Sequence, residues 1–404
     1  MTTRSSPPQG PLAGVRILDL STVVAGPFGT ALCADLGADV TKIELPDGSD
    51  ALRKLQPVKG DMPLYWKVTN RGKRGITLDV RKPAGRALLL RLIELADVLV
   101  ENFRPGKLEE WGLDIATLQG VNPRLNVLRL TGFGQTGPYR QNGGFARVFE
   151  AMSGLTNLCG EVGRMPLHMN FPLGDTVAGT FAAFAISAEM VRMRSDPRAR
   201  GVEIDLSATE ALFRMLEPLA VEHEQLGIVR GHNGNRATYT APSNMYLSAD
   251  GVAFSLVASS EPIFRRLCAM LGMETLTVDP RFVDNLRRVR HGEALDAILA
   301  HEFAQMTFEQ LDARLTTAGV PHTKIYTIED IVADPHFTAR DAVIRLPDPD
   351  LGTIPAPCIV PRVKGREMRP PRSGPSVGEH NAQVYGELGL DEAALARLKR
   401  EQVI

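Results

Sequence analysis

Leu173-Gly174-Asp175-Thr176-Val177-Ala178-Gly179 leads into an apolar stretch rich in Ala and Gly that runs to Met190. An Asp at such a junction reads as a helix N-cap, its carboxylate accepting backbone N–H groups. The same place suits covalent chemistry. The positive end of a helix keeps a carboxylate ionised. Nearby amides can also stabilise the oxyanion formed when that carboxylate attacks a carbonyl. The residues alone leave capping and catalysis both open.

Four other segments could hold a ligand. Asn70-Arg71-Gly72-Lys73-Arg74-Gly75 gathers cations in a turn beside a strand, which suits a phosphate but equally a solvated charge run. In Asn102-Phe103-Arg104-Pro105-Gly106, Asn102 could bond a ligand amide and Phe103 could pack on a base. Pro105-Gly106 also makes a simple turn. Gly132-Phe133-Gly134-Gln135-Thr136-Gly137-Pro138, extended by Gly143 and Gly144, suggests a lid or a close approach of backbone to ligand. Ala25-Gly26-Pro27-Phe28-Gly29-Thr30 opens a helix where dinucleotide folds hold pyrophosphate. It lacks the G-x-G-x-x-G pattern, and Pro27 removes an amide, so NAD binding is disfavoured.

Metal chemistry finds little support. Cys33, Cys159, Cys268 and Cys358 are scattered, with no Cys-x-x-Cys pair, and the eight histidines show no His-x-x-x-His spacing. No permanently bound cofactor is expected.

The elements that must position these residues alternate. Strands are expected at 15–20, 39–44, 76–80, 98–100, 125–130 and 202–206. Helices are expected at 28–36, from Pro83, a favoured first-turn residue, and from about Ala208. This rhythm predicts a largely parallel, doubly wound sheet covered by helices. Beyond a loop at Gly231–Arg236 a compact unit follows. It has a hairpin about Asp250-Gly251 and helices near 262–271, 292–305 and 307–318. The Pro-rich segment 347–375 reads as an extended crossing arm, and a last helix is expected over 392–400.

With 404 residues, 44% of them hydrophobic, the chain can bury more than one core. Its formal charge is −1, so no global field attracts nucleic acid or an anionic membrane. Met1–Gly10 is polar and lacks the apolar centre of a signal peptide. The stretch 176–190 is too short to span a bilayer. The chain reads as cytoplasmic.

These segments, in this order, resemble the class III CoA-transferases, the family of formyl-CoA transferase and carnitine CoA-transferase, which also contains α-methylacyl-CoA racemase. The resemblance runs nearly end to end. It is carried by Pro11–Asp19, Ala25-Gly26-Pro27, Leu36–Glu44, Asn70–Asp79, Val100–Gly106, Ser153-Gly154-Leu155, Gly174-Asp175, Asp250-Gly251, Ala318–Pro321, Asp334-Pro335-His336 and Gly378-Glu379-His380. It implies an α/β fold with a Rossmann-like large domain and a smaller α+β domain, in an interlocked homodimer. The expected division is 1–205 for the N-terminal part of the large domain, 206–240 for a linker, 241–330 for the small domain, and 331–404 for the crossing arm and the rest of the large domain.

The resemblance also implies that Asp175 is a covalent nucleophile that accepts an acyl group from an acyl-CoA and passes CoA to a carboxylic acid. Val23, Val24 and Ala25 match a CoA contact of the family, as do Leu78 to Arg81 and Asn102 to Arg104. Arg81 stands where a cation meets the nucleotide. Leu45 and Glu110 replace two arginines of formyl-CoA transferase, which leaves the phosphates to Lys73, Arg74 or Arg104. Val24 replaces its active-site Gln, and its run of four glycines is missing before Asn244. Formyl or oxalate specificity is therefore disfavoured. Phe145, Arg147 and His168 remain as substrate candidates, the last two for the distal carboxylate of a diacid such as succinate. Phe145 also stands where racemases carry a His, so one of the two acid–base groups that racemisation needs is missing. The alternatives kept open are an α-methylacyl-CoA racemase and a non-catalytic acyl-CoA binding protein.

Overall fold

The computed structural model describes residues 10–365 and 370–404. The reading of the N-terminal segment before Gly10 falls outside them, as do four residues of the Pro-rich segment. The described residues form two compact units. The first takes the chain up to Leu155, then His168–Ile228 and Asp341–Ile404. The second takes Thr156–Leu167 and Val229–Arg340.

The first unit is built on a six-stranded sheet: β1 (Arg16–Asp19), β2 (Asp39–Glu44), β3 (Arg74–Thr77), β4 (Val98–Glu101), β5 (Asn126–Thr131) and β6 (Glu203–Ser207). Its order is β3-β2-β1-β4-β5-β6, and each neighbouring pair is parallel. Strands buried on both faces need apolar residues throughout. Val98-Leu99-Val100 and Val127-Leu128 meet that demand, all fully buried. One core face packs Leu88, Leu89, Leu92 and Ile93 of the helix Pro83–Ile93 against the sheet. The other packs α1 (Ala25–Asp35) and the long helix Leu173–Ser195.

The strand order reverses between β1 and β4. In open parallel sheets, the crevice beyond the carboxyl ends at such a point is where ligands bind. The segments Thr22–Ala25, after β1, and Asn102–Arg104, after β4, flank it.

The second unit carries a three-stranded antiparallel sheet, β7 (Ser243–Leu247), β8 (Ala253–Val257) and β9 (His322–Lys324). Helices Glu261–Leu271, Gly292–Phe303 and Phe308–Ala318 enclose Phe254, Phe264, Phe282 and Phe303 with it.

Four expectations need correction. The third strand is Arg74–Thr77 rather than 76–80: Leu78 N–H still reaches Glu44 O at 2.8 Å, but Asp79 N–H turns to the C-terminal segment and donates to Val403 O at 2.8 Å. The first helix begins at Ala25, before Pro27, which sits in its first turn and needs no N–H there. The Pro-rich segment is not all extended arm. Val343–Asp348 and Gly352–Pro357 pair as an antiparallel hairpin, with Leu346, Ile354 and Ala356 turned inward. The expected linker 206–240 contains the helices Ala208–Arg214 and Pro218–Leu226.

Candidate functional site

A cavity of about 160 Å³ opens at the carboxyl ends of β1, β4 and β5. Thr22, Val23, Val24, Ala25, Asn102, Thr131 and Gly132 line it, with Gly144, Phe145, Phe149 and Asp175. Residues distant in sequence thus meet where the topology predicts a ligand.

Two glycines let this happen. Helix α1 and the helix Leu173–Ser195 cross at Gly29 and Gly179. A Cβ on Gly179 would sit 2.5 Å from Ala25 O, and one on Gly29 would sit 2.7 Å from Gly179 O. Only hydrogen fits at such a distance, so the two helix N-termini come together beside the cavity.

Asp175 lies in the first turn of its helix, two residues after Leu173, and not at the N-cap, which is Pro172. The capping expectation is therefore wrong. The orphan N–H of Gly174 is satisfied instead by Glu150, on the helix Ala146–Met152, whose Oε1 accepts it at 2.9 Å. Among the described residues none donates a hydrogen bond to the Asp175 carboxylate, and Asp175 is 9% exposed. Burial, and then the negative charge of Glu150, push its carboxyl up to about 6. A carboxylate with no donors beside it is a stronger nucleophile than one tied down by them.

Tyr65 stands close by, in the helix Leu64–Thr69. Burial, followed by the charge of Asp175, raises its phenol. Its sequence neighbourhood, Leu64-Tyr65-Trp66, looks like ordinary core, and no motif marked it.

The floor of the site is fixed by buried charges. Lys73 Nζ meets Asp19 Oδ2 at 2.9 Å, Pro27 O at 2.8 Å and Asn70 Oδ1 at 2.8 Å. Burial opposes the charge on Asp19, yet Lys73, Lys42 and the hydroxyls of Ser21 and Thr30 hold it at about 2. Burial pulls the Lys73 ammonium down to about 8 against the field of Asp19. Lys42 bonds Ser21 O and lies 3.7 Å from Asp50, whose Oδ1 takes the N–H of Val23 at 3.1 Å. This framework holds Val23 at φ 65, a left-handed conformation costly for a β-branched residue.

The other candidates divide. All three ammonium protons of Lys73 are committed inside the protein, so it cannot serve a phosphate. Arg74 begins β3, at the opposite end of the sheet, where it bonds Asp39 at 2.9 Å and Glu387 at 2.8 Å. The Leu78 side chain belongs to the core. Phe103 turns inward onto Trp111, with ring centroids 5.0 Å apart. Asn102 spends its amide on the backbone of Thr22.

Arg81 is exposed and paired with Asp79 at 2.7 Å. Arg104 is exposed, with its guanidinium against Gly143. Phe145 is 71% exposed at the cavity mouth, and Arg147 is exposed beside it. His168 Nδ1 lies 3.5 Å from Glu150 Oε2. The Gly-rich run owes Gly132 to packing: a Cβ there would sit 2.2 Å from the Phe149 ring.

Among the described residues, no helix is long and apolar enough to cross a membrane.

The family model described as CoA-transferase family III matches residues 12–381. The chain is 40% identical to the succinyl-CoA–D-citramalate CoA-transferase of Chloroflexus aurantiacus, over 99% of this chain and 100% of that one. It is 34% identical to the succinate–glutarate CoA-transferase of Agrobacterium fabrum, over 94% and 96% of the two chains. A solved CAIB/BAIF family protein from Brucella suis superposes with a TM-score of 0.82 at 32% identity, covering 94% of this chain and 99% of that one.

Proposed function

The chain belongs to CoA-transferase family III, and from that premise we propose that it moves CoA from succinyl-CoA to a second dicarboxylic acid through covalent intermediates on Asp175. It is a CoA-transferase; the substrates and the mechanism are our reading. One observation carries that reading: the Asp175 carboxylate, buried and with no hydrogen bond from the described residues, opens into a cavity at the carboxyl ends of the parallel strands.

Asp175 attacks the thioester carbonyl of the donor. The C–S bond breaks, and sulfur leaves with the electron pair as CoA thiolate. The thiolate then attacks the aspartyl carbonyl of the mixed anhydride, releasing the donor carboxylate and forming an aspartyl-CoA thioester. The acceptor carboxylate attacks that thioester and expels the thiolate. The thiolate takes the acceptor acyl group from the new anhydride and returns Asp175 to its starting state. Each step exchanges one acyl bond for another, so water must be kept out.

We assign the CoA phosphates to Arg81 and Arg104, the cations of the candidate set that stay exposed at the carboxyl ends of strands. Val23, Val24 and Ala25 would form the wall behind the thioester. Val23 and Tyr65 flank the reacting carboxylate, and Phe145 would shield its mouth. Arg147 is our choice for the distal carboxylate, because His168 already serves Glu150. Succinyl or succinate in the names of both transferases supports a dicarboxylate substrate.

We read the six-stranded unit as Rossmann-like, and the enzyme as an interlocked homodimer. Phe184 and Val191, one face of the long helix, are 68% and 70% exposed, and Val148, Met152 and Phe213 are exposed on adjoining helices. An apolar surface of that kind needs a partner. The four cysteines are free thiols, which suits a reducing cytoplasm.

A panel of acyl-CoA donors against dicarboxylic acids, with Asp175→Ala as control, tests the reading. The expected result is CoA exchange with succinyl-CoA, absent in the variant. Deuterium exchange at an acyl α-carbon without exchange between acids would instead make the protein a racemase.

A further inference from the structure

We propose that Glu150 is a positioning residue for the transfer reaction: it takes over the capping of the nucleophile's helix and, with its charge shared by His168, keeps the Asp175 carboxylate free and reactive. The inference rests on Asp175 being the nucleophile.

Glu150 is a carboxylate, 2% exposed, and among the described residues it faces a histidine, His168, and no Lys or Arg. A carboxyl group buried this far is costly and persists where its oxygens are put to use. Its two oxygens have separate tasks. Oε1 takes the Gly174 N–H at 2.9 Å. Oε2 faces His168 Nδ1 at 3.5 Å.

The first task removes the obvious donor for Asp175. A helix N-terminus offers orphan N–H groups, and an Asp in its first turn would ordinarily accept one and lose basicity. Here Glu150 from the neighbouring helix fills that role, and the Asp175 side chain points into the cavity instead. The second task is electrostatic. Glu150 and Asp175 are acidic groups on adjoining helices, and the charge of Glu150 makes the ionised state of Asp175 less favourable. Acylation neutralises Asp175 and moves the charge to the departing sulfur, away from Glu150. Repulsion present before the attack is therefore relieved along the reaction, and relief of that kind lowers the barrier. The groups facing Asp175 are Glu150 from the helix Ala146–Met152 and Tyr65 from the helix Leu64–Thr69. His168 acts on it through Glu150.

Glu150→Gln separates these tasks, because the amide oxygen still caps Gly174 while the charge is gone. In a pH profile of kcat/KM, the acid limb should move to lower pH than in the wild type. Turnover at pH 7 should fall on the order of tenfold, with KM for acyl-CoA little changed. His168→Leu should shift the limb the other way, since the Glu150 charge is no longer shared. It provides the test should Glu150→Gln fold poorly. Glu150→Asp, one methylene short of Gly174, should restore the limb toward the wild-type position but lower Tm. A Glu150→Gln protein with wild-type Tm, profile and kcat would overturn the proposal, as would a His168→Leu limb unmoved. The parallel Asp175→Ala assay keeps the two ideas apart. Activity in that variant removes the nucleophile itself, whereas its inactivity beside an unaltered Glu150→Gln enzyme removes only the positioning role.

Discussion

Asn102 and Thr22 clasp each other across the point where the strand order reverses. The Thr22 N–H donates to Asn102 Oδ1 at 2.8 Å, and Asn102 Nδ2 donates to Thr22 O at 2.8 Å. The side-chain amide imitates a strand and joins the ends of β1 and β4 above the sheet. The wall formed by Thr22 to Ala25 depends on it.

Asn102→Asp should therefore loosen that wall. One donor is lost, and a carboxylate oxygen faces the Thr22 carbonyl. We expect a stability loss of about 1 kcal/mol, in line with a lost hydrogen bond at a half-buried site, and a raised KM for acyl-CoA. Thermal unfolding and steady-state kinetics would check both. An unchanged KM would mean that the clasp does not shape the CoA site.

Asp175 should cost the fold stability in exchange for reactivity. Its folded carboxyl lies near 6, raised from 3.8. Between those values the native state holds more protons than the unfolded chain, so stability falls as pH rises through about 4 to 6. The full cost, about 3 kcal/mol at most, is present above pH 6 and absent below 4. Asp175→Asn should thus be more stable than the wild type at pH 7 and similar to it at pH 4. Unfolding curves at the two pH values would decide, and equal stability at pH 7 would contradict the buried, unpaired state of the carboxylate.

Lys73 should behave as framework and not as a ligand for phosphate. Lys73→Met leaves Asp19 buried without its ammonium, which typically costs about 3–5 kcal/mol. The expected result is a large fall in Tm. In protein that still folds, the salt dependence of KM for CoA should be unaltered. Arg104→Ala should show the reverse: unchanged Tm, with a higher and less salt-sensitive KM.

Gly179→Val should disconnect the site from the sheet. Its side chain would drive into Ala25 O and Gly29 N, and overpacking of this kind costs about 1–3 kcal/mol or more. Activity should fall further than stability alone explains, because the two helix N-termini separate. Wild-type turnover in this variant would mean that the crossing does not set the geometry.

Much of this was legible in the sequence. β2 (Asp39–Glu44) and the last helix, Glu392–Arg400, fall where apolar pattern and caps put them. What failed was long-range. Asp175 reads as a cap because Glu150, 24 residues before the Gly174 whose N–H it accepts, leaves no local sign that it will do the capping. Lys73 reads as a surface cation because its partner Asp19 lies 54 residues away, at the end of β1. Tyr65 carries no signal beyond being aromatic. The hairpin Val343–Pro357 was hidden by prolines, although Pro347, Pro355 and Pro357 are tolerable in a ladder of only two strands, both of them edges.

The central claim is that Asp175 carries the acyl group and then CoA. The most direct measurement is to mix enzyme with succinyl-CoA and no acceptor, quench, and determine the mass of the peptide containing Asp175. A covalent CoA adduct on Asp175, absent in Asp175→Asn, is the expected result. An unmodified Asp175 in enzyme that still exchanges CoA would contradict it.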